Sequence, residues 1–218
     1  MTSITRTITL ILAILIGVSI HESAHALAAY WLGDDSAKQE GRISLNPIKH
    51  ISMMTVIFGI FAVIMPGAMI IPFKPVMISR ERLSDPRWGM AITSMAGPLS
   101  NVLLGFFAAG IGRLVVIYYS GFSTLDAFGQ QLIIGIQFFS QIQFFLFIFN
   151  MLPIPPLDGH WVLGALVPAI DRLFDSFRYG MTGFIILMLL LYPIRHIMNL
   201  FYMPLMTMIN SIMGIGVQ

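Results

Sequence analysis

A chain of 218 residues that is 57% hydrophobic and only 10% charged, with a mean hydropathy of +0.85, is too apolar for a water-soluble domain. Its net charge of +2 comes from basic residues in loops, a pattern of membrane topology rather than of a nucleic-acid-binding surface. Cysteine is absent, which excludes disulfides and thiolate ligands. The expected fold is an all-α integral membrane protein with about five transmembrane helices, a re-entrant segment and a short strand-like loop. It forms a single domain over 1–218, with a core at about 4–165 and C-terminal helices at about 178–213.

The first apolar run, from about Ile4 to Leu32, is longer than the apolar region of a signal peptide and is read as a mature span. Tyr30 and Trp31 are its interfacial anchors. Its second half contains His21-Glu22-Ser23-Ala24-His25. Residues four apart share one helix face, so His21 and His25 can aim two imidazoles at one point. Two neutral imidazoles at that spacing suit one zinc ion per chain, with a coordination position left open for water. Glu22 is placed to act as the base for that water. Two histidines and an acid without a metal would be unremarkable on a soluble helix. In an apolar span such a group is too costly to lack a role.

Gly33 to His50 is polar, and Gly41 to Pro47 alternates like a short strand stopped by Pro47. An ordinary loop has equal standing for so short a run. Ile51 to Pro72 is just long enough to span, but Pro66, Gly67 and Pro72 interrupt it. If it dips in and returns, Lys38, Arg42, Lys49, Lys74, Arg80, Arg82, Arg87, Arg172 and Arg178 share one face. Arg6, Arg113 and Arg195 then fall on the other. That lopsided distribution fits the positive-inside rule and favours re-entry over a single crossing.

The next span, about Trp88 to Tyr118, carries Gly97, Asn101, Gly105 and Ala109 at four-residue intervals, a seam for close helix packing. For Asn101 an ordinary interhelical hydrogen bond ranks ahead of a bond to the site. A fourth span, about Gly129 to Leu152, ends in Asn150-Met151-Leu152-Pro153-Ile154-Pro155-Pro156-Leu157-Asp158-Gly159. Prolines at that density unwind the helix, and unwound backbone at membrane depth must be buried in protein or line a wet cavity. Among the acids, Glu22 and Asp158 are the two that lie in or against apolar segments, and a shared cation accounts for both. Asp158 is therefore the expected third ligand, with Glu40 and His160 ranked below it. Trp161 to Tyr179 reads as an interfacial amphipathic stretch with Leu173, Phe174 and Phe177 toward lipid. Gly180 to Tyr192 and Ile194 to Ile212 read as two further spans.

These segments, together with Gly41–Pro47, Lys74-Pro75-Val76 and Ala96-Gly97-Pro98-Leu99-Ser100-Asn101, resemble the site-2 protease family of intramembrane zinc metalloproteases. The likeness runs over about residues 10 to 165 and is nearest to the small bacterial branch without a PDZ domain. It implies zinc held by His21, His25 and Asp158, with Glu22 as base and Asn150 supporting substrate. It also implies hydrolysis of peptide bonds in or near transmembrane segments of other membrane proteins. Ser52, and Ile71-Pro72-Phe73 before Lys74, depart from the family pattern away from the expected ligands.

A helical substrate must unwind before attack, and the Gly41–Leu45 edge, with Ile43 and Leu45, could hold it extended. The expected setting is a bacterial plasma membrane, with the site toward the cytosol and the bilayer and a transmembrane substrate as partners. Two competing classes are a zinc-binding scaffold without turnover and an ion-coupled transporter.

Overall fold

The computed structural model describes residues 3–52, 74–120, 126–175 and 181–215. The expected re-entrant segment at 51–72 lies almost wholly outside them. Among the described residues the fold is all-helical and contains no strand.

Among the described residues, three long helices are apolar enough to cross a membrane by length and composition: α1 (Ser3–Trp31), α3 (Trp88–Ser120) and α4 (Ala127–Asn150). Between α1 and α3 lie the short α2 (Ser36–Gln39) and two 3-10 turns, Pro47–His50 and Arg80–Arg82. After α4 come α5 (Gly159–Leu166), α6 (Pro168–Phe174) and α7 (Met181–Met213).

The helices' own contacts fix their directions. Along α1, Ala13 meets Gln143 of α4, and further down His21 meets Asn101 and His25 meets Thr93 of α3. Thus α1 and α3 run antiparallel. Thr9 lies against Gly135 and Ala13 against Gln143, so α1 and α4 run parallel. Trp31, Trp88 and Asn150 consequently end on one face of the bundle.

The small-residue seam of α3 is used as its spacing predicts. Phe144 of α4 packs into the space beside Gly105, and Ser140 donates to the Gly105 carbonyl at 2.8 Å. Ala109 is buried with Ile133, Phe144, Met206, Ile209 and Met213 where α3, α4 and α7 meet. Outward faces carry Ile8, Leu12, Leu103, Phe107 and Leu114, all exposed. The buried polar side chains face inward, the distribution that a hydrocarbon solvent imposes.

Three expectations are corrected. In place of two C-terminal spans, α7 is one helix running unbroken through Pro193 and Pro204. The piece before Pro193 would reach only ~20 Å alone, short of a ~30 Å hydrocarbon core, whereas a proline inside a membrane helix removes a single backbone hydrogen bond. Gly41–Leu45 forms no strand. Gly41 adopts a left-handed φ of 67°, and the Ser44 N–H turns back to the Arg42 carbonyl at 2.9 Å, so the backbone groups are satisfied locally. The 159–174 stretch is two short helices with Leu173 outward, but Phe174 is buried with its ring edge-on to His160.

Candidate metal centre

His21 and His25 lie one turn apart on the face of α1 that meets α3, and both are buried. At ~1.5 Å per residue, the pair sits roughly 9 to 15 Å before Trp31 along the helix axis, below the interface that Tyr30 and Trp31 mark.

Asp158 reaches them from the far end of α4. Past Asn150 the chain leaves the helix, and short turns satisfy its backbone: Ile154 N–H to the Leu152 carbonyl at 2.8 Å and Leu157 N–H to the Ile154 carbonyl at 2.9 Å. Leu157 anchors this loop in a buried cluster with Ile148, Phe149, Leu187 and Met198. Gly159 lets the loop fold back on itself, because a Cβ there would lie 2.6 Å from the Leu152 carbonyl oxygen. Asp158, at the start of α5, is thereby turned toward α1.

The separations are 3.0 Å between the two imidazole Nε2 atoms, 3.1 Å from His21 Nε2 to Asp158 Oδ2, and 3.3 Å from His25 Nε2 to the same oxygen. Around zinc, with bonds of ~2.0–2.2 Å, tetrahedral ligand atoms lie about 3.3 Å apart, so all three distances match one face of such a tetrahedron. The opposite ring nitrogens are occupied. His25 Nδ1 lies 2.7 Å from the Thr93 carbonyl, which can only accept, so the proton is on Nδ1 and the Nε2 lone pair faces the site. His21 Nδ1 lies 2.7 Å from Asn101 Oδ1.

Lone pairs from two imidazoles and a carboxylate thus converge, an arrangement that a cation between them relieves. Space for the ion exists because residue 97 is glycine: a Cβ there would lie 2.7 Å from His21 Nε2 and would crowd His25 Nε2 as well. Donor chemistry, spacing and room all fit zinc. Among the described residues these three form the group able to hold a metal.

The Ala96–Asn101 motif acquires a physical reading from this geometry. Gly97 clears the ion's space, Asn101 faces His21, and Pro98 cannot donate to the turn before it. The carbonyl that loses its helical donor to Pro98 is Ser94's, and the one that His25 uses, Thr93's, lies one residue before it.

Glu22, the residue after His21, is turned toward the segment at residues 74–79. Its Oε2 accepts the Val76 N–H at 3.0 Å, in the extended Lys74–Ser79 strap. The strap is held at both ends, by Lys74 N–H on the His50 carbonyl at 2.9 Å and Ser79 N–H on Asp34 Oδ2 at 2.6 Å. Asp34, in the loop after α1, is fully buried and also accepts the Ser36 N–H at 3.0 Å and hydroxyl at 2.5 Å. Burial pushes its carboxyl pKa up, but these donors and the Arg82 charge outweigh it and hold the group below its usual range.

The 41–50 loop docks beside Glu22 through its neighbour. Ser23 Oγ donates to the Ser44 carbonyl at 2.5 Å and accepts the Ser44 N–H at 3.2 Å, while His50 Nε2 donates to the same carbonyl at 2.8 Å. Arg42, buried, donates to the Lys49 carbonyl. Ile43 and Leu45 on this loop are exposed.

Asn150 is turned to its own helix, donating to the Leu146 carbonyl at 3.0 Å. Glu40 pairs with Arg42 at 3.5 Å, and His160 Nδ1 bonds the Leu157 carbonyl; neither is among the grouped ligands. Sequence reasoning missed Val76 and Thr93, which act through backbone atoms, and Asp34, which resembles any loop acid.

Comparison with known proteins agrees with the chemistry. The model of peptidase family M50 matches residues 9–134 and 111–192. YwhC of Bacillus subtilis (strain 168), named as a candidate zinc metalloprotease, is 37% identical over 186 residues, which are 82% of this chain and 78% of that protein. Rip2 of Mycolicibacterium smegmatis, named likewise, is 26% identical over 168 residues, 72% of this chain and 55% of that protein. No solved structure is a match for this chain.

Proposed function

The chain belongs to peptidase family M50 and is an intramembrane zinc metalloprotease, and on that premise we propose that His21, His25 and Asp158 hold its zinc and Glu22 is its base. The observation that carries this reading is the triangle of 3.0, 3.1 and 3.3 Å edges formed by two bare imidazole nitrogens and a carboxylate oxygen beside Gly97. Zinc, when bound, supplies the Lewis acidity that lowers the pKa of a water toward ~7 and polarises a scissile carbonyl.

The protein's own groups do the rest. Val76 N–H fixes one carboxylate oxygen of Glu22, leaving Oε1 to take the proton of the attacking water and return it to the leaving amine. Asn150, freed from Leu146, would support the substrate carbonyl.

The substrate is a transmembrane segment of another protein. A site roughly 9 to 15 Å along α1 from the interfacial Trp31 is within reach of a peptide bond that is itself embedded, provided the substrate unwinds there. Ile43 and Leu45 are the exposed apolar contacts on the loop beside Glu22, and they would grip that unwound stretch.

The same helices support an orientation for the site. Lys38, Arg42, Lys49, Arg80, Arg82 and Arg87 lie on the face where α1 ends and α3 begins, which supports a cytosolic site in a plasma membrane.

The test is Glu22→Gln, with zinc content measured beside cleavage of a transmembrane substrate in detergent or liposomes. The reading requires about one zinc per chain retained and cleavage lost by at least ~100-fold. Cleavage at the wild-type rate refutes Glu22 as base, and a chain that never holds zinc refutes the ligand set.

A further inference from the structure

We propose that Gln143 of α4 is a positioning residue for the metal centre, setting the tautomer of His21 through Asn101. This rests on the reading that His21 is a zinc ligand through Nε2.

His21 can offer the Nε2 lone pair only if the proton is on Nδ1, which requires an acceptor opposite Nδ1. For His25 that acceptor is a backbone carbonyl, which has no alternative role. For His21 it is one end of the Asn101 amide. A primary amide can turn over and present NH2 instead, which would put the imidazole proton on Nε2 and close the nitrogen to a metal.

What forbids that turn lies one layer further out. Asn101 Nδ2 donates to Gln143 Oε1 at 3.0 Å, and Gln143 Nε2 donates to the Ala13 carbonyl at 2.9 Å. The Ala13 carbonyl can only accept, so the Gln143 NH2 must face it and Oε1 must face Asn101. The Asn101 NH2 must then face Gln143, and its oxygen must face His21. A longer bond from Asn101 Nδ2 to the Gly17 carbonyl, 3.3 Å, reinforces the same orientation. The direction of the whole chain is set by backbone carbonyls of α1, about two turns (Ala13) and one turn (Gly17) before the histidine they control.

The surroundings are built for this. Asn101 and Gln143 are both fully buried, in a bundle whose solvent is hydrocarbon, where an amide without partners costs several kcal/mol. Residue 17 is glycine where Gln143 crosses α1, and a Cβ there would stand 3.0 Å from Gln143 Nε2 and closer still to Oε1. Gln137 on the same helix makes an ordinary interhelical bond to Asn210 at 2.7 Å and has no link to the site.

The experiment uses the purified full chain in detergent as wild type, Gln143→Met, Asn101→Asp and the double variant. Zinc affinity is read by chelator competition, and imidazole protonation by 15N NMR of the zinc-free protein. Gln143→Met is expected to weaken zinc about tenfold and to give a mixed tautomer signal for His21. A carboxylate at 101 accepts at either oxygen and has no orientation to fix, so in that background Gln143→Met should change zinc affinity by no more than about twofold.

Equal loss from Gln143→Met in both backgrounds assigns Gln143 a packing role and overturns the proposal. Should Asn101→Asp fail to fold, an unchanged His21 15N signal in Gln143→Met overturns it alone. The ligand reading fails separately, if His21→Ala binds zinc as tightly as the wild type.

Discussion

The backbone N–H of Val76 donates to Glu22 Oε2 at 3.0 Å, so the proposed base on α1 is oriented by a strap that arrives from residues 74–79. The side chain of Val76 has no part in that bond. Val76→Pro removes the donor, along with the valine's packing on Ala26 and Ala37, and a hydrogen bond to a charged group contributes about 1.5–3 kcal/mol. Cleavage should fall about 10- to 100-fold, while zinc content measured on the same preparation stays at the wild-type level. Loss of zinc together with activity would show that the strap supports the fold rather than the base.

Gly97 tests the space between the histidines. Alanine is a better helix former than glycine by ~1 kcal/mol, but overpacking a buried site costs about 1–3 kcal/mol, so Gly97→Ala should leave the thermal midpoint of the zinc-free protein unchanged or lowered. Its Cβ would stand 2.7 Å from His21 Nε2 and closer still to His25 Nε2, in the space an ion would occupy. Zinc affinity should fall at least about tenfold, by analogy with other perturbations around metal ligands. A zinc-loaded and active Gly97→Ala would mean that the ion sits elsewhere.

Asp34 links the strap to the end of α1, and its pKa is lowered on folding despite burial because Ser36, Ser79 and Arg82 favour the carboxylate. A folded pKa below the unfolded value means that the stabilisation is complete above about pH 4 and is lost as pH falls through the folded value. Thermal midpoints of wild type and Asp34→Asn measured from pH 7 downward should therefore differ near neutrality and converge in acid. A gap that persists unchanged at pH 3 would contradict the assignment.

Much of the site was legible in the sequence because its chemistry is costly in lipid. His21 and His25, with Glu22 as the proposed base between them, declare themselves by spacing, and Asp158 by lying past a proline-broken helix in an apolar chain. What could not be read was carried by atoms without a sequence signature. Thr93 and Val76 contribute a carbonyl and an N–H, and nothing in composition separates Gln143 from Gln137 or Gln141. Asn101 looked like an interhelical contact; it is one, to Gln143, and its other end faces His21. The alternation at Gly41–Leu45 suggested a strand, but a strand needs a partner, and Ser23 and His50 take up Ser44 instead. Reading α7 as two spans gave too much weight to Pro193 over the continuity of the apolar run.

The account depends on Asp158 closing a metal site with two histidines from the other end of the membrane domain. The most direct measurement is the zinc stoichiometry of Asp158→Ala beside wild type, both purified after equilibration with limiting zinc. About one zinc per wild-type chain and little in the variant is the predicted result, since a three-ligand site loses most of its affinity with one ligand gone. An Asp158→Ala chain that keeps the full complement of zinc would contradict it.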